Sequence, residues 1–199
     1  IIAKAINKGT KFVGFSDFTA FQLAVLAKTG EVTWAGPALT DDFGSKEGAD
    51  EIMQACFEDL TSGQGEGSGW RLPKSIIAKS ISDAEVVFDD ITINKKCHFD
   101  KSVLWGGNLA MICSLIGTPY MPVVKDGILF IEDVGEHPYR VERMLAQLIQ
   151  TGILAKQKAI IFGQFNNYKL VSNDRGYKLA SVINWLRSQI KTDILTGLP

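Results

Sequence analysis

Thr10-Lys-Phe-Val-Gly-Phe-Ser-Asp-Phe-Thr-Ala20 is the stretch on which the fold class turns. Thr10–Phe15 follows Gly9 and is rich in β-branched and aromatic residues, the signature of a short buried strand. Asp17–Thr29 then carries apolar residues at helical spacing (Phe18, Phe21, Leu23, Val25, Leu26), and Gly30 closes the run as a C-cap. A strand that turns into a helix within two residues is an α/β unit, and Val32–Trp34 offers a second strand beside it. Upstream, Ile1–Lys8 reads as the last turns of a helix ended by Gly9.

Downstream, Gly36–Gly44 breaks the pattern with Pro37 and a pair of aspartates and reads as a linker between two lobes. Ala49–Leu60 is an amphipathic helix, and Thr61–Gly69 is a glycine-rich loop. Glu85–Phe88 and Ile91–Ile93 are strand candidates. Ser102–Trp105 leads through Gly106-Gly107 into an apolar helix, Leu109–Ile116. Gly127–Ile131 and Ala159–Phe162 read as strands, and Pro138–Gln150 and Tyr177–Gln189 as helices. Strands alternate with helices, so the expected fold is α/β.

Composition narrows the function. The chain has 199 residues, 46% hydrophobic and 22% charged, which is ordinary for a globular protein and excludes disorder, collagen and coiled coil. Apolar runs such as Gly127–Ile131 are far short of the roughly 20 residues that span a bilayer. A net charge of −1 supplies no bulk attraction to nucleic acid or anionic lipid, so neither a nucleic-acid partner nor a membrane is expected. Cys56, Cys97 and Cys113 are too few and too scattered for a disulfide framework; Cys56 and Cys113 read as small core residues, and a reducing compartment is expected.

Three spots carry chemistry. Ser16, in Gly14-Phe15-Ser16-Asp17, sits where a serine would project its hydroxyl from the carboxyl end of a strand, with the Asp17 N–H beside the helix N-terminus to face an oxyanion. Phe18 replaces the last glycine of the Gly-x-Ser-x-Gly elbow, and Ser16 also reads as a plain N-cap. Glu132 and Asp133 close the Gly127–Ile131 strand, where a carboxylate orients a histidine, holds a metal or caps the next helix. Asn108, after Gly106-Gly107, lies where freed N–H groups take a ligand or where Asn108 simply caps a helix.

Histidine is scarce. His98 reads as a surface residue, with no second ligand spaced for zinc, and His137 lies only five residues after Glu132, a cramped relay. Glu136, His137 and Arg140 fall at a helix start and suit its dipole. A serine nucleophile needs a base, so the base of a serine enzyme is expected outside this chain.

Phe12-Val-Gly-Phe-Ser-Asp-Phe-Thr-Ala20, Leu104-Trp-Gly-Gly-Asn-Leu109, Gly117-Thr-Pro-Tyr120 and Leu129-Phe-Ile-Glu-Asp-Val-Gly-Glu-His-Pro-Tyr-Arg-Val-Glu-Arg-Met-Leu145 together resemble the LD-carboxypeptidases. These muramoyltetrapeptide carboxypeptidases are bacterial serine peptidases of murein recycling, and the resemblance covers essentially the whole chain. It implies the end of an N-terminal parallel α/β lobe (1–40) carrying the nucleophile elbow, then a mixed β/α C-terminal lobe (41–199) carrying the triad carboxylate. It implies Ser16 as nucleophile, Glu132 as triad carboxylate, the Asp17 N–H as an oxyanion donor, and Gly106, Gly107 and Asn108 as substrate-binding candidates.

The family's histidine follows a Gly-Leu-Pro-Phe-Gly-His stretch, of which this sequence keeps Gly197-Leu198-Pro199. Both ends are expected to be cut, the upstream oxyanion segment to be missing, and the chain alone to be nearly inactive. The implied substrate is a cytoplasmic murein tetrapeptide losing its terminal D-alanine, with no cofactor and no metal, in a homodimer. Two further readings stand beside it: a microcin-immunity-type peptidase of the same family, cleaving aminoacyl-nucleotide-like conjugates, and a catalytically inactive muropeptide-binding protein.

Overall fold

The computed structural model describes residues 1–64 and 101–197, which cluster into two compact units, 1–64 with 115–122 and 101–114 with 123–197. The expectations for Gly65–Gly69, Glu85–Phe88, Ile91–Ile93, Cys97, His98, Leu198 and Pro199 lie outside the described residues.

The first unit opens with α1 (Ile2–Asn7), after which Gly9 takes a positive φ. Strand β1 (Val13–Gly14) pairs in parallel with β2 (Trp34–Ala35), Val13 opposite Trp34, and α2 (Phe18–Thr29) connects them. Gly30 ends α2 in the left-handed conformation that only glycine adopts without cost. The strand is shorter than the sequence suggests. Thr19, Gln22, Leu23 and Val25 form the buried face of α2, and Phe21 packs its ring near those of Phe12 and Phe18. Where a linker was expected, Leu39–Phe43 winds into a π-turn whose Asp42 carboxylate accepts the Ala38 N–H at 2.6 Å.

α3 (Glu51–Ser62) starts on Asp50, which accepts the Met53 N–H at 2.7 Å. Its half-covered stripe is Met53, Phe57 and Thr61, with the Phe57 ring against that of Phe43. Cys56 is on the adjoining stripe and exposed, which corrects the expectation of a core cysteine. Periodicity alone does not say which of two neighbouring apolar stripes a helix turns inward.

The second unit is a four-stranded parallel sheet in the order β3 (Leu104–Asn108), β4 (Gly127–Val134), β5 (Gln157–Asn166), β6 (Asp193–Leu195). Leu129, Ile131, Ala159, Ile160, Phe162 and Ile194 are buried in it. Among the described residues three helices complete the core: α4 (Leu109–Ser114), α5 (Pro138–Gln150) and α6 (Leu179–Gln189). α5 buries Val141, Leu145 and Leu148 and contacts both α4 and α6. Each such Leu contributes roughly 1.5–3 kcal/mol of burial.

β3 runs straight through the glycine pair that the sequence suggests as a turn. Gly106 has φ 121°, and a Cβ there would sit 2.0 Å from the Phe130 carbonyl oxygen, so only glycine lets β3 lie this close to β4. At the sheet's amino end, Gln157 accepts from Trp105 Nε1 at 2.9 Å and donates to the carbonyls of Val124 and Ile153. The buried indole N–H and the buried amide are therefore satisfied. No helix among the described residues is long and apolar enough to cross a membrane.

Candidate active site

Ser16 lies between the end of β1 and the start of α2. Its φ is 57°, a left-handed backbone that costs a non-glycine residue roughly 1–3 kcal/mol. The conformation lifts the residue out of the ladder, and Ser16 is exposed. Its Oγ makes no hydrogen bond among the described residues; Asp17, not Ser16, occupies the N-cap position, and no side chain caps the helix. The helix entry is closed by backbone bonds, Phe18 N–H to the Phe15 carbonyl at 3.1 Å and Thr19 N–H to the Ser16 carbonyl at 2.9 Å. The Asp17 N–H is left without a described partner at the positive end of a twelve-residue helix.

Two features hold this turn. A Cβ on Gly14 would lie 2.5 Å from Phe18 Cδ1, so the bare glycine makes room for the ring that replaces the elbow's last glycine. Gln22, 8% exposed, donates from Nε2 to the carbonyls of Gly14 at 3.2 Å and Trp34 at 2.8 Å.

In the second unit, the carboxyl ends of parallel strands gather polar groups, as the fold dictates. Asn108 ends β3 opposite Glu132 near the end of β4. The two adjacent carboxylates have divided the available roles. Asp133, 4% exposed, accepts from Asn108 Nδ2 at 2.9 Å, the Ala110 N–H at 3.0 Å and the Val134 N–H at 2.9 Å. Asn108 Oδ1 in turn accepts the Met111 N–H at 3.0 Å. Together Asp133 and Asn108 cap α4 and tie it to β4.

Glu132 is half-buried, and its carboxylate makes no hydrogen bond among the described residues. Burial, with the Asp133 charge adding to it, holds its carboxyl above the usual range. The β4–β5 register slips here: Ile131 pairs with Phe162 but Asp133 with Phe165, so β5 carries one extra residue opposite Glu132. Such a bulge re-aims a side chain. Gly163 lies in it, and a Cβ there would stand 3.2 Å from Glu132 Cβ and 2.7 Å from Phe130 Cζ.

His137 begins α5 as its N-cap residue, and its Nε2 lies 3.2 Å from Asp174 Oδ2. Its described partner is thus Asp174 rather than Glu132. Among the described residues no group of three or more His, Cys, Asp or Glu is arranged to hold a metal ion.

Residues 101–199 match the model of the LD-carboxypeptidase C-terminal domain. The crystal structure of muramoyltetrapeptide carboxypeptidase from Oxalobacter formigenes superposes with a TM-score of 0.81 at 36% identity, covering 100% of this chain and 61% of that one. The chain belongs to the LD-carboxypeptidase family. Among curated relatives, the probable murein peptide carboxypeptidase of Bacillus subtilis is 29% identical over 86% of this chain and 48% of its own length. The microcin C7 self-immunity protein MccF of Escherichia coli is 30% identical over 82% of this chain and 50% of its own length. The chain therefore spans about half the length of the curated relatives it matches.

Ser16 and Asp17 belong to the first unit of this LD-carboxypeptidase chain; Gly106, Gly107, Asn108 and Glu132 belong to the second, where Asn108 and Glu132 are cross-strand partners. Gly106 and Gly107 are strand residues with positive φ, and Asn108 is 8% exposed, so the most accessible polar group of this cluster is Glu132. Sequence reasoning missed Gln22 and the bulge at Gly163, and it offered the Glu132–Asp133 pair as a cap for the next helix, whereas Asp133 caps the preceding α4. A polar amide inside the apolar stripe of α2 was the one available signal for the first.

Proposed function

We propose that the full-length protein is a serine carboxypeptidase that hydrolyses the L,D bond of murein tetrapeptides and releases the terminal D-alanine. The observation that carries this reading is the left-handed Ser16 at a strand-to-helix turn, its hydroxyl and the N–H directly after it both without a hydrogen-bond partner among the described residues. In the proposed reaction Ser16 Oγ attacks the scissile carbonyl while a histidine takes its proton. The Asp17 N–H donates to the tetrahedral oxyanion at the helix N-terminus. Glu132 fixes the histidine's tautomer and stabilises the imidazolium. Protonation of the leaving amine expels D-alanine, and water then hydrolyses the acyl-enzyme.

His137 is engaged by Asp174, so the proton acceptor is assigned to the histidine that follows the Gly-Leu-Pro stretch in the resembling family. Glu132 suits the carboxylate role because it is half-buried, aimed by a bulge and without a hydrogen-bond donor among the described residues, whereas Asp133 is used up by capping. The murein peptide is preferred as substrate because of the 36% identity and 0.81 TM-score to the muramoyltetrapeptide carboxypeptidase. The 30% identity to MccF favours a second reading, a peptidase of aminoacyl-nucleotide-like conjugates.

The test is a substrate panel on the full-length enzyme. Tetrapeptide should release D-alanine, and Ser16→Ala and Glu132→Gln should each abolish most of that release. Turnover of an aminoacyl sulfamoyl nucleoside with tetrapeptide left intact would transfer the assignment to the second reading. Binding of tetrapeptide with no turnover of either would leave a murein-binding protein.

A further inference from the structure

Ser16 is held in a backbone conformation that the chain alone does not favour, and β1 and β2 are only two residues long. Among the described residues the ladder bond nearest the elbow is long, with the Gly36 nitrogen 3.4 Å from the Gly14 carbonyl oxygen. The buried face of α2 adds a second hold on the strand ends. Gln22 lies between the buried Thr19 and Leu23, Val25, where an apolar side chain would be expected, and its amide donates to Gly14 and Trp34 across both strands. Gly14 is two residues before Ser16, and Trp34 is in register with Val13.

We infer that Gln22 is a positioning residue for Ser16: its amide cross-links the two strand ends and keeps Ser16 in the left-handed conformation that frees its hydroxyl and the Asp17 N–H. The inference rests on the reading of Ser16 as nucleophile. Its chemistry is specific. Both carbonyls are acceptors, so the residue must donate twice from one atom, which an amide nitrogen does and a carboxylate does not. A methionine fills the same volume without donating.

The experiment follows the rate at which an alkyl fluorophosphonate labels the full-length enzyme, per folded molecule, together with kcat and KM for tetrapeptide. Gln22→Met should slow labelling and lower kcat by about 10- to 100-fold with KM nearly unchanged, the expected cost of a misplaced reacting group. Gln22→Glu gives a second readout that survives if the methionine variant fails to fold. An ionised carboxylate repels both carbonyls, whereas the protonated acid donates one O–H, so its deficit relative to wild type at the same pH should narrow as pH falls. Lowered thermal stability with wild-type labelling per folded molecule, and a pH-independent ratio for Gln22→Glu, would overturn the inference and leave Gln22 a packing residue. Ser16→Ala runs alongside. Labelling that persists there removes the nucleophile reading itself, while labelling lost there but unchanged in the Gln22 variants removes only the positioning role.

Discussion

Glu132 and Asp133 are adjacent carboxylates on one strand, and removing them should shift stability in opposite directions. Asp133 accepts three hydrogen bonds while 4% exposed. A hydrogen bond to a charged group contributes roughly 1.5–3 kcal/mol, but the three share one carboxylate, so Asp133→Ala should cost about 3–5 kcal/mol rather than their sum. For a chain of this size that lowers Tm by roughly 6–20 °C. Glu132 has no such bonds among the described residues, is half-buried and carries a raised pKa caused first by burial and then by Asp133. A carboxyl whose folded pKa lies above its unfolded value loses stability as pH rises through the folded value. Glu132→Gln should therefore stabilise the fold at pH 7, by up to about 1 kcal/mol. The gain should shrink as pH falls toward the ordinary carboxylate range, where both states of the wild-type residue are protonated. Thermal melts of wild type and both variants at pH 7 and pH 4 measure this. Equal losses from both variants, or a Glu132→Gln effect that grows at low pH, would refute the division of roles between the two carboxylates.

Gly106→Ala sets a Cβ at 2.0 Å from the Phe130 carbonyl on a residue with φ 121°, and should cost roughly 3 kcal/mol or more in urea denaturation. Alkylation mapped at pH 8 should modify exposed Cys56 far faster than Cys113, whose thiol is pushed up to about 12 by burial and by Asp133. His137→Ala in the full-length enzyme should leave tetrapeptide turnover within about tenfold of wild type, because His137 is held by Asp174. A loss approaching the roughly 10⁶-fold that removal of a triad histidine produces would instead assign the base to His137.

The local parts of the fold were legible because their signals are local. Pro138 at the first turn and Gly152 after the last turn bracket α5 as the structure has it, and Gly30 marks the end of α2. β6 was missed because Asp193–Leu195 is three residues long and is defined only by pairing with Ala159–Ile161, more than thirty residues away. The sequence places the end of β4 before its carboxylates, since Glu132 and Asp133 look like a solvated turn until Asn108 and Phe165 are seen beside them. The same distance hides the site's division of labour. Asp133 is a capping residue only because Ala110 lies 23 residues back in sequence and 3.0 Å away in space. At Ser16 the sequence allowed both an N-cap and a projecting hydroxyl, because both put serine at a strand-to-helix turn. The φ of 57° and an Oγ with no hydrogen bond among the described residues are tertiary facts, in a turn where Phe18 crowds Gly14 and Gln22 donates to the Gly14 carbonyl.

The most direct test is a peptide map of the full-length enzyme after one equivalent of fluorophosphonate. The expected result is a single phosphonyl adduct on the peptide containing Ser16, absent from Ser16→Ala and slowed by Glu132→Gln. An adduct on another serine, or on no serine while D-alanine release continues, would contradict the account.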